Sequence, residues 1–424
     1  MAIYTNIRAL FSFLAYFGLV VIICEYLVYY FVMFKCVWPN VSVTNDHRHV
    51  GQIGESEWFF SENSDSHPGS YGEDNSVERD AQTRSSDSVR TFFIADTHLL
   101  GSRLGHWLDK LRREWQMERA FQAALNLLAP EAVFVLGDLT DEGKWASDEE
   151  FRDTAKRFWK MFRHPDAMNF KVVVGNHDIG FHHLSIKNKL DRFFDAFSCK
   201  GVELVTLKNI SFVLVNSMAF HGDNCEMCSG AKKDLRRVSE RLNCSRNRGA
   251  RTGAKMGMAE NKRCKVHKPL PPSAPILLQH FPLYRRSDEM CSGVDGTPLD
   301  EKFVPHGERR EVISREATKT LLSWIRPRLV LSGHTHHGCY VVHQNSTPEI
   351  SVPSFSWRNR RNPSITLATI TPRSIAINKC FLPEESLIIN LYVLSGVAMA
   401  VFLLHAWIRL LFKGRASRER RKDL

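Results

Sequence analysis

The sequence predicts an α/β sandwich carried between two membrane-spanning helices. Three observations predict it. Short apolar runs alternate with helical patterns through the middle of the chain, as strands and helices packed in layers do. A long apolar stretch stands near each end. Five of the short runs stop at clusters of Asp, Asn and His, and open α/β sheets bind ligands just beyond the carboxyl ends of their strands. The chain has 424 residues, 43% hydrophobic and 24% charged, which allows one large domain or two or three small ones with a sizeable core.

Residues 1–8 precede the first apolar stretch, 9–34, which is interrupted only by Glu25. About 20 residues suffice to span a bilayer. The stretch is long for a signal-peptide core and lacks a small-x-small cleavage site, so it reads as an uncleaved transmembrane anchor. Residues 387–408, broken only by Asn390 and His405, read as a second transmembrane helix. The tail that follows, 409–424, carries a net charge of +5. Positive flanks favour the cytoplasm, which puts both termini there and everything between the spans in a lumen. Residues 35–90 are rich in Ser, Asp, Glu and Gly and read as a flexible luminal stalk, with Trp58, Phe59 and Phe60 as a docking point.

A folded domain is expected over 91–382. Strands are predicted at 91–95, 132–136, 171–174, 211–215, 275–278 and 329–331, and helices at 108–128, 148–162 and 315–325. A last set of strands is expected at 340–343, 349–352, 365–370 and 374–378, which read as antiparallel and close a second sheet. Residues 225–268 interrupt the pattern as a basic, Cys-containing insertion loop of net charge +9. This insertion and the tail account for more than the whole formal charge of +11. The rest of the chain is not basic, and no aromatic-interleaved basic face or zinc-finger spacing occurs, so nucleic acid is not an expected partner.

The chain holds 10 cysteines, an even number that suits disulfides in an oxidising compartment. Their pairing does not follow from sequence. Cys225 and Cys228 form a CxxC with no second CxxC at zinc-site spacing, which favours a structural disulfide. Sequons at Asn40, Asn209, Asn243 and Asn345 suit luminal glycosylation, with Asn209, at a predicted strand start, the least accessible.

The polar strand ends carry the chemistry. The first delivers Asp96 and His98, the second Asp138, and the third Asn176, His177 and Asp178. The strand near residue 277 delivers His280, and the one near residue 330 delivers His334 and His336. Alone, Gly175-Asn176 is equally well a turn; five such ends together point to a metal site. Carboxylate, imidazole and amide oxygen without thiolate suit Mn²⁺, Fe²⁺ or Zn²⁺. Seven ligands are too many for one ion and suit two that share a carboxylate. Asp-x-His and His-x-His place two side chains on one face of an extended segment, so each pair can grip one metal.

This ordered set, D-x-H, G-D, G-N-H-[DE], H and G-H-x-H, resembles the calcineurin-like metallophosphoesterase superfamily over roughly residues 91–378. The resemblance implies a four-layer αββα sandwich. It implies Asp96, His98 and His336 on one metal, Asn176, His280 and His334 on the other, and Asp138 between them. By the same resemblance His177 is a catalytic non-ligand that steadies or protonates the transferring group, and Asp178 orients it. Two cations at such a site offset phosphoryl charge and lower the pKa of bound water towards about 7.

Residues 281–288, 326–336 and 351–359, with the two-span layout, are similar to one membrane-bound branch of that superfamily. That likeness implies a manganese-dependent phosphodiesterase of the early secretory pathway. Its expected reaction removes the ethanolamine-phosphate branch from the second mannose of protein-attached glycosylphosphatidylinositol (GPI) anchors and so promotes export of the anchored proteins. It also implies residence at endoplasmic reticulum exit sites, the intermediate compartment and cis-Golgi, with cargo or coat contacts through the tail around Lys422. Arg285 and Arg286 are candidate phosphate binders, since the guanidinium fork matches phosphate, and Trp357, Arg358 and Asn359 are candidates to line a glycan pocket. Another lipid- or sugar-phosphate substrate, or an inactive cargo-binding protein, stays open on the same fold.

Overall fold

The computed structural model describes residues 2–41, 51–52, 57–61, 87–182, 186–220, 225–249, 264 and 269–419. The middle of the predicted stalk, His183, His221, most of the second half of the insertion and the end of the tail with Lys422 lie outside them.

Two sheets form the centre. The seven-stranded sheet runs β1-β2-β13-β12-β3-β4-β5, and the six-stranded sheet β10-β11-β9-β8-β7-β6. Their strands are β1 (Gly51–Gln52), β2 (Glu57–Ser61), β3 (Val89–Ile94), β4 (Ala132–Val135), β5 (Asn169–Val172), β6 (Val202–Leu207), β7 (Ile210–Val215), β8 (Ile276–Gln279), β9 (Leu329–Ser332), β10 (Cys339–His343), β11 (Thr347–Ser351), β12 (Ser364–Ile370) and β13 (Ser374–Phe381). Strands β3, β4 and β5 are parallel neighbours, and so are β7, β8 and β9. The motif-bearing carboxyl ends are therefore grouped: three on one sheet, two on the other. Alternate residues of these strands face opposite ways. Phe93, Phe134, Phe212 and Leu331 fill the space between the sheets. Phe92, Val133 and Val213 face outward to the helices.

The helices are α1 (Ala2–Ile22), α2 (Val28–Met33), α3 (Trp107–Leu128), α4 (Asp148–Met161), α5 (Asn176–Ile179), α6 (Lys187–Phe197), α7 (Glu226–Gly249), α8 (Arg315–Ile325) and α9 (Glu385–Glu419). Their ends follow capping chemistry. Ser147 and Glu150 form a reciprocal capping box at α4, and Ser314 Oγ accepts the Ala317 N–H at α8. A π-helical turn at Ile23–Leu27 joins α1 to α2. Among the described residues, two helices are long and apolar enough to cross a membrane, Phe11–Met33 and Glu385–Phe412.

Four expectations change. The last four strands do not close a sheet of their own. β10 and β11 extend the six-stranded sheet at β9, while β12 and β13 extend the other sheet at β3. The first half of the insertion is helix α7, not loop, with Cys225–Cys228 bridged across its start and Cys244 joined to Cys264. The stalk contributes structure: β2 pairs with β13. Asn209 sits on an exposed turn between β6 and β7, as open to solvent as Asn40, Asn243 and Asn345. Two further disulfides, Cys36–Cys380 and Cys291–Cys339, tie the chain across the domain.

Candidate metal centre

Beyond the sheet edge, β3 and β4 stay paired. Asp96 N–H donates to Gly137 O at 3.1 Å and His98 N–H to Asp138 O at 3.0 Å. The backbone then turns sharply to aim its side chains. Asp96, His98, Asp138, His334 and His336 all hold left-handed conformations, with φ between 44° and 71°. Such φ is uncommon for non-glycine residues and marks functional sites. Gly175 is required by close packing, because a Cβ there would lie 2.2 Å from Asp138 Oδ1.

The predicted ligands converge as two groups. Asp96, His98 and His336 offer atoms within 4.8 Å of one another, as do Asp138, His280 and His334. Asn176 Oδ1 lies 3.1 Å from His280 Nε2, which adds the amide to the second group. Asp138 Oδ2 stands between them, 3.2 Å from His280 Nε2 and 3.6 Å from His98 Nε2. Outer partners fix the rings. His280 Nδ1 donates to Leu136 O at 2.7 Å, and His334 Nε2 donates to Arg310 O at 2.8 Å. His98 Nδ1 meets Asp141 Oδ1 at 3.0 Å, so its Nε2 faces inward.

This donor set fits a pair of divalent ions. Asp96 Oδ1 and His334 Nδ1 are buried without a hydrogen-bond partner among the described residues. A buried donor-acceptor left unmade is costly, so an electrophile is what the arrangement accommodates. Mixed carboxylate, imidazole and amide ligands suit Mn²⁺, Fe²⁺ or Zn²⁺. Charge is similarly arranged. Burial opposes a charged His98, yet its contacts with Asp141 and Asp96 outweigh this and push the imidazole up to about 10. Burial and then the neighbouring His280 push His334 down to about 3.

His177 lies beside this set. Its backbone N–H donates to Asp138 Oδ1 at 2.7 Å. Its Nδ1 lies 3.1 Å from Asp141 Oδ1 and 3.2 Å from Lys144 Nζ. Asp178 does not orient it, which corrects the expectation. The Asp178 carboxylate instead accepts from Thr140 N–H and Gly175 N–H, each at 2.9 Å, and clamps two strand ends together. Burial and then the Asp138 charge raise that carboxyl to about 7.

Asp141 takes the orienting place. It contacts His98 and His177 and accepts from Arg358 Nη2 at 2.8 Å. Burial alone would raise its carboxyl, but hydrogen bonds from His177 and His98 hold it well below the usual carboxylate range. Sequence reasoning missed Asp141, Lys144 and the role of Arg358. The one available signal was Asp141 three residues beyond Asp138 in the same loop.

Two other candidates move away from the site. Arg285 is buried in an ion pair with Asp288 Oδ1 at 2.8 Å and is a structural residue. Trp357 is also buried, with Nε1 donating to Pro383 O at 2.9 Å, so it does not line an open pocket. Asn359 Nδ2 contacts Ser354 Oγ at 3.2 Å beside Asp96.

The chain is similar to known proteins. The calcineurin-like phosphoesterase family model matches residues 89–338. Metallophosphoesterase 1 of Danio rerio is 45% identical over 385 residues, covering 91% of this chain and 88% of the relative. Metallophosphoesterase 1 of Macaca fascicularis is 49% identical over 374 residues, covering 88% and 83%. The solved dimetal phosphatase of Danio rerio is 12% identical, covers 68% of this chain and 98% of that one, and gives a TM-score of 0.38. With the family model spanning more than half the chain and near-full-length relatives at this identity, the chain belongs to the calcineurin-like phosphoesterase family and is a metal-dependent phosphoesterase.

Proposed function

We propose that this protein is a two-metal phosphodiesterase that removes the ethanolamine-phosphate branch from the second mannose of protein-attached GPI anchors, and so promotes export of the anchored proteins from the endoplasmic reticulum. The observation that carries the reading is a full phosphoesterase ligand set in a domain packed directly against two helices of membrane-spanning length. Arg112 Nε donates to Glu385 Oε1 at 2.7 Å at the start of α9, and Trp115 Nε1 donates to the Glu25 carbonyl at 3.3 Å. A site mounted this way suits a phosphodiester that is itself held in the bilayer, through effective concentration. The name shared by the near-full-length relatives, metallophosphoesterase 1, agrees with the reaction class.

Two divalent ions, proposed to be Mn²⁺, would supply polarisation of the phosphoryl oxygens and a lowered pKa for bound water. Asp96, His98 and His336 would hold one, Asn176, His280 and His334 the other, and Asp138 both. With Nδ1 held at Asp141, His177 keeps Nε2 to give a proton to the leaving alkoxide. The Asp141 carboxylate, 3.1 Å from Nδ1, holds the ring in that orientation.

The proposed setting is a luminal catalytic domain in membranes from endoplasmic reticulum exit sites to the cis-Golgi. The exposed acceptors Asn40, Asn209, Asn243 and Asn345 suit glycosylation there, and GPI-anchored proteins are the partners expected as substrate. Coat or cargo contacts fall to the cytoplasmic tail. The deciding experiment is analysis of the anchor glycan in cells lacking the protein. Anchors that retain the side branch support the reading. An unchanged glycan, with metal-dependent diesterase activity intact in vitro, points to another lipid- or sugar-phosphate. In sealed microsomes the Asn243 region should resist protease, and its digestion would overturn the luminal placement.

A further inference from the structure

Helix α3 carries one face that is uncovered over its first turns and packs against the membrane-spanning helices from there on. From its middle to its carboxyl end the face is occupied. Arg112 meets Glu385, Trp115 meets Glu25 and stacks edge-on with Tyr26, Asn126 meets Tyr30, and Trp38 meets the Leu128 carbonyl. The contacts advance from Glu25 to Tyr30 along the first helix, and on to Trp38 just beyond it, as they advance from Trp115 to Leu128 along α3. The two therefore run in the same sense, and the first turns of α3 point back towards the bilayer end of the first helix. There the stripe continues at helical spacing with Trp107, Leu108 and Leu111, preceded by Leu104. These four are 68%, 52%, 57% and 51% exposed. A contiguous exposed apolar patch of this kind marks a docking surface.

We infer that Leu104, Trp107, Leu108 and Leu111 form an interfacial foot that enters the headgroup and upper acyl layer of the same bilayer that the two helices cross. Continuity with the packed face of those helices selects lipid as the occupant. The composition agrees: Trp and Leu on the apolar side and Arg112, Arg113 and Lys110 beside them are the residues of interfacial helices. The foot is also tied to the site. Glu142 accepts from the N–H groups of Gly101, Arg103 and Leu104, and the preceding residue, Asp141, holds His98 and His177. Seating the foot therefore sets the height of the catalytic loops above the membrane.

This inference rests on the reading that the two apolar helices span a bilayer, and the test separates the two. Full-length protein carrying Trp107→Cys, Phe402→Cys or Lys319→Cys is labelled with an environment-sensitive fluorophore and reconstituted in phosphatidylcholine vesicles containing doxyl-lipid quenchers. Phe402 lies on the apolar surface of α9, and Lys319 is exposed on α8, which covers the other sheet. The expected result is quenching at 107 and 402 but not at 319. Quenching at 402 alone overturns the foot and leaves the spanning helices intact. Quenching at none of the three overturns the spanning reading and the foot with it. A kinetic arm uses Trp107→Glu with Leu111→Glu. Hydrolysis of a phosphodiester displayed on vesicle lipid should fall about tenfold through lost effective concentration, while hydrolysis of a small soluble diester stays unchanged. Equal loss on both substrates, or on neither, overturns the proposal.

Discussion

His177 and Asp141 share a hydrogen bond but answer to different experiments. His177 offers its backbone N–H to Asp138, and its side chain groups with His98 and Asp141, not with Asp96 and His336 or with Asp138, His280 and His334. His177→Ala should keep both metals and lose about 10²–10⁴-fold in turnover, the usual worth of a positioned acid or base. Metal content by mass spectrometry beside diester hydrolysis checks this, and loss of both would make His177 a ligand. Asp141→Asn keeps the shape and removes the charge that holds two imidazoles. A fall of about 10–100-fold in metal affinity or activity is expected, together with an altered pH profile for turnover. An unchanged profile would leave Asp141 a packing residue only. The contrast explains what single residues reveal in a sequence. Asp96, His98, His334 and His336 stood out because each follows an apolar strand directly. Asp141 did not, since it reaches the site only after the chain turns at Asp138, through a left-handed φ of 48°.

Among the elements, strands with an unbroken apolar run were legible and their company was not. Residues 329–331 and 365–370 carry the same kind of pattern, and only long-range pairing sends them to different sheets. Helix α6 and strand β6 went unread although Leu190, Phe193 and Phe197 recur at helical spacing. The long loop after β8 was opaque for another reason: several of its contacts converge on one buried carboxylate. Asp288 accepts from Arg285 Nε at 2.8 Å, Thr297 Oγ1 at 2.6 Å and His306 Nε2 at 2.9 Å. Burial would raise its carboxyl, yet these partners hold it well below the usual range. A carboxyl depressed in the folded state contributes stability above its ordinary pKa of about 3.9 and loses it as pH falls through the folded value. Asp288→Asn leaves buried Arg285 with only the more distant Glu349 carboxylate, at 3.9 Å, and should cost about 3 kcal/mol at pH 7. The gap between wild-type and mutant unfolding curves should close on acidification. A gap that is constant from pH 7 to pH 2 would show that the charge is not its source.

At the scale of the whole molecule, the first apolar helix is part of the fold. Its carboxyl end is buried at Tyr29 and Met33 against α3, and Trp38 stacks on Phe92 of β3 at 5.6 Å. Just before Trp38, Cys36 is bonded to Cys380 at the end of β13, only a few residues from the start of α9. Both apolar helices therefore enter the domain at one place, so the segment read as a flexible tether does not set the distance between the domain and these helices. That arrangement makes the disulfide a mechanical joint. A cross-link closing so long a loop, 344 residues apart in sequence, stabilises by about 6 kcal/mol in the chain-entropy account. Cys36→Ser with Cys380→Ser should lower the melting temperature of the detergent-solubilised protein. It should also slow hydrolysis of a vesicle-borne diester more than that of a soluble one, because a domain free to tilt spends less time at the bilayer. Equal rates on both substrates in the double variant would mean that the packing of α2 on α3 holds the domain in place without the covalent tie.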